Sequence, residues 1–224
     1  MKTVIALALL VLTLTACSPS PSPSTVPTQT PAAATPSPAA EEPRFQFQAT
    51  ALERIDASGR TLWRASLPAE KNRQMAVLGE TVLVWGPSNN LRRFAVDTGS
   101  PTGLTLALGQ VALFGVHDDI LVQSADAGLA GIAEKSNIWH RSDLRAESMV
   151  VAAGPESDPV VLLVSRNEGR ARAVKLKDGK DSSFPVPSGV FSKVAFQRDA
   201  GAIIWTPKGG GEPVQTDAST GLEL

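Results

Sequence analysis

Few residues of this chain are of types that could do chemistry, and their spacing decides what each could do. Cys17 is the single cysteine among 224 residues. A lone thiol has no disulfide partner within the chain, so its chemistry must be modification of the sulfur itself. The two histidines are His117 and His140. His117-Asp118-Asp119 combines imidazole with carboxylates, the usual nitrogen and oxygen ligands of metals. Successive side chains of an extended chain alternate in direction, however, so three neighbours cannot converge on one ion. The triplet therefore reads as an exposed turn between strands, and His140, between Trp139 and Arg141, as a surface residue at a strand end. Gly209-Gly210-Gly211 has no helix behind it whose N-terminus could hold a phosphate, and reads as a hairpin loop. No serine lies in a Gly-x-Ser-x-Gly setting. Arg170, Arg172, Lys175 and Lys177 make one strand basic, but Glu168, Asp178 and Asp181 lie beside it, which suits a solvated face. No catalytic, cofactor-binding or metal-binding set follows from these residues.

Cys17 takes its meaning from what precedes it. Met1-Lys2-Thr3 carries one basic side chain, and Val4 to Ala16 is apolar apart from Thr13 and Thr15. A membrane-spanning helix needs about 20 apolar residues, so this run is too short and reads as a secretory signal peptide over residues 1–16. Leu14-Thr15-Ala16-Cys17 resembles the bacterial lipobox. That resemblance implies cleavage between Ala16 and Cys17, a diacylglycerol on the Cys17 sulfur, and acylation of the new amino group. Several buried acyl chains at ~0.8 kcal/mol per CH₂ anchor far more firmly than one. The membrane is thus the first expected partner, through the lipid on Cys17. In that family Ser18 in place of an aspartate leans toward the outer membrane, and the outer face of a single-membrane cell is the alternative.

Residues 17–43 form the lipidated cysteine and a tether. From Ser18 to Pro43, eight of twenty-six residues are proline and most others are Ser, Thr or Ala. Such a composition cannot bury enough apolar surface to offset its ordering entropy. Proline biases it to polyproline II at ~3.1 Å per residue, a reach approaching ~80 Å. It serves either as a semi-rigid stalk or as a leader with no length requirement.

Residues 44–224 are long enough for one domain with a sizeable core. Setting aside Lys2, Glu41 and Glu42, the domain keeps 20 of the 21 basic and 20 of the 22 acidic residues. That neutrality gives no electrostatic case for nucleic acid. Its apolar residues come in short runs bounded by Gly, Pro, Asn and Asp, a strand pattern. Runs starting at Phe45, Val82, Ile120, Val161 and Ala202 recur at spacings of 37, 38, 41 and 41 residues. Each run is followed by a second strand ending in a tight turn, as in Ile55-Asp56-Ala57-Ser58-Gly59, Val96-Asp97-Thr98-Gly99 and Asp217-Ala218-Ser219-Thr220-Gly221. The aspartate can bond its own turn, and the closing Gly suits positive φ. A third strand carries Trp63 or Trp139, and a fourth runs through Met75–Leu78, Val111–Phe114, Met149–Ala152 or Val194–Gln197. Trp85 and Trp205 fall at equivalent places in the first strand, as Trp63 and Trp139 do in the third, which points to packing between units, with an exposed aromatic binding rim as the alternative. Four short strands per unit of about 40 residues is the arithmetic of a β-propeller.

Leu52 to Trp63 resembles the repeat of the pyrroloquinoline-quinone-type (PQQ-like) β-propellers, approximately Leu-x-Ala-Leu-Asp-x-x-Thr-Gly-x-x-x-Trp. The other copies keep parts of it. The resemblance implies an all-β fold, a small propeller of about five blades, either closed or imperfectly closed. The first copy lacks a strand before Phe45 and the last offers Leu222-Glu223-Leu224 as its third. Quinoprotein dehydrogenases of this family have eight blades, a quinone and calcium, and several carry a vicinal disulfide. Five units and one cysteine do not fit that, and no cofactor is expected. The function expected by analogy is a membrane-anchored, extracytoplasmic, non-catalytic binding or scaffold module with an envelope protein as partner, its oligomeric state open. The alternative is a propeller-type hydrolase of the envelope. That enzyme would bring together three or more of His117, Asp118, Asp119, Glu134, Asp143 and Asp199.

Overall fold

Short runs of Val, Leu, Ile and Phe, each closed by Gly, Asn or Asp, fold as successive antiparallel hairpins. A computed structural model describes residues 43–87, 90–103, 106, 107 and 109–224. The signal peptide, Cys17 and the tether as far as Glu42 lie outside the described residues. The strands form five sheets. Blade 1 comprises β1 (Arg44–Gln48), β2 (Ala51–Ile55) and β3 (Thr61–Ser66). Blade 2 comprises β4 (Gln74–Leu78), β5 (Thr81–Trp85), β6 (Asn90–Ala95) and β7 (Leu106–Ala107). Blade 3 comprises β8 (Val111–His117), β9 (Ile120–Ala125), β10 (Gly128–Ile132) and β11 (Asn137–Arg141). Blade 4 holds β12 (Ala146–Ala153), β13 (Val160–Ser165) and β14 (Ala171–Lys175), and blade 5 holds β15 (Phe191–Gln197), β16 (Ala202–Pro207) and β17 (Val214–Asp217). Single bridges, Val174 to Asp181 and Thr216 to Glu223, stand for the outermost strand of blades 4 and 5. The architecture is thus the all-β, five-bladed propeller arrangement that the repeats imply.

Two details of the repeat differ from the sequence reading. The strands read as the fourth of each unit are the first of the following blade: β4, β8, β12 and β15 each pair with the run that comes after them. Blade 1 has no such strand among the described residues, and β1 is the edge of its sheet. The alignment of the runs also slips by one residue. Val82, Leu121, Val161 and Ile203 are equivalent, since each faces the preceding blade. A one-residue slip reverses which face a side chain occupies. Trp85 consequently faces blade 3, whereas Trp205 faces blade 4, and the two are not equivalent. The internal runs are apolar on both faces, which hides the slip from a comparison of apolar runs.

Trp63 and Trp139, by contrast, are equivalent, and their placement accounts for the Gly and Trp of the repeat. The Trp63 indole donates to the Val96 carbonyl at 2.7 Å and lies over Gly99 of the next blade, where a Cβ would come within 2.5 Å of the ring. Trp139 donates to the Leu176 carbonyl at 2.7 Å and lies over Gly179, where a Cβ would come within 2.7 Å. Both glycines have positive φ, so turn geometry and close approach demand the same residue. Between blades 4 and 5, Phe184 takes the place of the tryptophan over Gly221.

Apolar cores join blade 1 to 2, 2 to 3, 3 to 4 and 4 to 5. Among the described residues no apolar core joins blade 5 back to blade 1. The two faces left over are polar. On blade 1, Gln46 donates to Glu53 at 2.8 Å and Arg64 lies 3.5 Å from the same carboxylate. On blade 5, exposed Lys193, Gln197 and Gln215 surround a half-buried Ile204.

Candidate functional site

The innermost strands repeat a three-residue pattern: Met75-Ala76-Val77 in β4, Phe114-Gly115-Val116 in β8, Met149-Val150-Val151 in β12 and Val194-Ala195-Phe196 in β15. The third residue of each pairs with the equivalent residue of the next strand: Val77 with Val82, Val116 with Leu121, Val151 with Val161, Phe196 with Ile203. These four apolar side chains therefore form one row along the inner edges of blades 2 to 5, just before the turns that leave the inner strands. Val151 is half-buried against the core between blades 3 and 4, and the other three stand clear of the cores. Val77 is 39% exposed, Val116 47% and Phe196 43%, with Phe114 beside it at 45%. The Phe114 ring stays anchored by its edge against Trp85, with centroids 5.1 Å apart. In β8 the middle residue is held to glycine because β12 sits on it: a Cβ on Gly115 would lie 2.7 Å from Val151. Exposed apolar side chains at matched positions, on a rigid sheet scaffold, make a contact surface rather than a reaction centre.

The polar residues that could have formed an active site are spread over the turns. Asp118 and Asp119 are the two central residues of the β8–β9 hairpin, with φ of 47° and 57°, the type I′ geometry. His117 ends β8 and its Nε2 lies 3.3 Å from the Asp118 carboxylate, so this triplet is the exposed turn that the sequence implies. Asp199 lies in the one-turn 3₁₀ segment Arg198–Ala200 between β15 and β16. Asp143 follows β11, and its carboxylate takes two hydrogen bonds from Arg141, which pull its pKa down to about 2. Glu134 lines a cavity of about 340 Å³ between blades 2 and 3, together with Glu80, Thr81, Arg93, Thr102 and Lys135. Its carboxylate accepts from the Glu80 amide at 3.2 Å and the Thr81 hydroxyl at 3.3 Å, which fastens one blade to the next. Buried Arg93 donates to the Asn137 side chain at 3.4 Å, and burial lowers its pKa. Of the six residues a hydrolase would gather, Glu134 alone lines this cavity. Among the described residues no group of three or more His, Cys, Asp or Glu is placed to hold a metal ion.

The remaining sequence-derived candidates resolve as turns and faces. Gly209-Gly210-Gly211 closes the β16–β17 hairpin, all three with positive φ. On the basic strand, Arg172 pairs with Glu168 at 3.3 Å and Lys175 with Asp158 at 2.8 Å. His140 is exposed and its ring lies 3.0 Å from the Ala127 carbonyl. Ala16 and Cys17 lie outside the described residues. The apolar row was not singled out from sequence, although its Φ-small-Φ pattern stands in the chain three times, with Val150 in the middle place of the fourth copy. Its signal is the repeat phase, which becomes visible once the inner strands are assigned to the blades they begin.

No known family's sequence pattern matches the chain, and no curated protein matches it. Solved structures do match. The β-propeller Hsv2 of Kluyveromyces lactis aligns with a TM-score of 0.52 at 10% identity, over 80% of this chain and 58% of that one. BamB of Moraxella catarrhalis aligns with a TM-score of 0.48 at 14% identity, over 79% of this chain and 57% of that one. The chain thus spans under three fifths of the length of the solved chains it matches. The likeness to Hsv2 shows the propeller fold.

Proposed function

We propose that the chain is a non-catalytic binding module held outside the cytoplasm, on a cell membrane or outer membrane, by lipid on Cys17. The observation that carries this reading is the apolar row on rigid inner strands, exposed at Val77, Val116 and Phe196 and half-buried at Val151. The lipobox-like Leu14-Thr15-Ala16-Cys17 and the proline-rich tether support the anchoring, with cleavage before Cys17. The scattering of His117, Asp118, Asp119, Glu134, Asp143 and Asp199 speaks against the hydrolase alternative, because general acid-base chemistry needs its groups within reach of one substrate. The partner of this surface is a protein of the envelope.

Two measurements test the reading. Labelling cells with a clickable palmitate analogue is expected to tag the wild-type chain and leave Cys17→Ser untagged. A photo-crosslinking amino acid at Val116 or Phe196 is expected to capture one envelope protein in living cells, while the same probe at Gln215 captures none. Equal capture from all three positions contradicts the reading.

A further inference from the structure

Blade 1 differs from the other four in a way that specifies what it binds. Blades 2 to 5 each begin with an inner strand that pairs along the full length of the strand after it, β4 on β5, β8 on β9, β12 on β13 and β15 on β16. In blade 1 the strand equivalent to β5, β9, β13 and β16 is β1, and the described residues place nothing on its inner edge. A strand paired on one side turns alternate N–H and C=O groups outward, a template for another extended chain. Side chains mark the same vacancy: β1 presents Phe45 and Phe47 half-buried toward blade 2, with Phe45 packed at 5.8 Å from the Trp63 ring.

We propose that β1 accepts an extended segment of a partner protein as the missing inner strand of blade 1, antiparallel to β1. The position dictates its chemistry. Three of the four inner strands read Φ-small-Φ, with Ala76, Gly115 and Ala195 in the middle place where β12 has Val150, and the middle residue is on the face toward the following blade. In blade 1 it lies opposite Phe45, the equivalent of Leu83, whose own partner on β4 is Ala76. By the repeat, Val77 would stand over that residue as Val151 stands over Gly115. The partner strand therefore carries a residue no larger than Val opposite Phe45, flanked by apolar residues opposite Arg44 and Gln46. Its arrival would extend the row of Val77, Val116, Val151 and Phe196 by one more apolar side chain. Strand addition of this kind takes affinity from main-chain hydrogen bonds and specificity from alternate side chains.

Other sources of the strand fit less well. Residues 18–43 hold one sizeable apolar residue, Val26, directly before Pro27, and proline at eight positions removes donors from any ladder. The inner strands of a second copy are already paired within their own blades.

The proposal rests on reading the inner strands as a binding surface, and its test is separate from envelope capture. The probe is a fluorescent peptide with the sequence of residues 191–197, Phe-Ser-Lys-Val-Ala-Phe-Gln, titrated with the full chain in detergent. Saturable binding is expected, with slowed amide hydrogen exchange confined to Arg44–Gln48. Replacing the peptide's alanine by tryptophan is expected to weaken binding about tenfold or more, because by the repeat Val77 would stand over that residue. N-methylation at alternate peptide nitrogens is expected to abolish binding in one phase and spare it in the other. Binding without protection of Arg44–Gln48, or amides there already protected in the free chain at any concentration, overturns the proposal. Capture at Val116 in cells with no peptide protection overturns the strand alone. Peptide protection with no capture in cells upholds the strand and overturns the envelope role.

Discussion

β13 and β1 hold the same place in blades 4 and 1, yet they are built from different residues. β13 is Val160-Val161-Leu162-Leu163-Val164-Ser165, buried throughout, because blades 3 and 5 cover its two faces and β12 and β14 its two edges. β1 is Arg44-Phe45-Gln46-Phe47-Gln48, alternating, with the phenylalanines toward blade 2 and the polar residues toward no blade. The chain writes the number of neighbours into the period of the strand: continuous apolar where two faces are covered, alternating where one is. A ring closed between blades 5 and 1 would call for an apolar second face on β1, and that face carries Gln46 and Gln48 instead.

Truncations sharpen this comparison. The largest effect is expected at Trp139, 8% exposed between blades 3 and 4. Trp139→Ala should cost about 3–5 kcal/mol in urea unfolding. Leu162→Ala, in the core between blades 4 and 5, should cost about 2–5 kcal/mol, and Phe45→Ala at the half-covered strand about 1–2 kcal/mol. Equal losses at Leu162 and Phe45 would break the contrast. Gly179→Ala should cost about 2 kcal/mol, from positive φ and the contact with Trp139 together, and should blue-shift or quench the Trp139 fluorescence.

Smaller effects are expected at the free ends. The Asp217 carboxylate accepts hydrogen bonds from the side chains and amides of Ser219 and Thr220, which hold its pKa down at about 2. A depressed carboxyl pKa stabilises the folded state fully above its ordinary value near 4, and that contribution is lost as pH falls through about 2. The blade 5 turn should therefore loosen between pH 4 and pH 2, seen as faster amide exchange at Ala218–Gly221. Asp217→Asn should remove the pH dependence in that window. The smallest change in stability is expected for Lys193→Val with Gln215→Val on the exposed face of blade 5, which alters unfolding by about 0.5 kcal/mol or less. The same pair should instead make the chain self-associate in sedimentation, because it turns a polar end face into an apolar one.

The five units, the turn chemistry at Asp56 and Asp217 and the Trp63 and Trp139 pairing were legible in the sequence, since each rests on local residue types at fixed spacing. The phase of the repeat was not. Met75–Leu78 belongs to the blade that follows it, and nothing local to those residues distinguishes the end of one sheet from the start of the next. The one-residue slip that equated Trp85 with Trp205 has the same origin: apolarity on both faces of an internal strand erases the period-2 signal that fixes register. The row of Val77, Val116, Val151 and Phe196 depends on both phase and register, so it emerges from the fold.

The account stands on β1 being a half-covered edge, and native-state hydrogen exchange measured strand by strand on the isolated chain tests that directly. β5, β9 and β13 are expected to exchange near the limit of global unfolding, with Arg44–Gln48 faster by orders of magnitude. Protection of Arg44–Gln48 equal to that of Val160–Ser165 would contradict it.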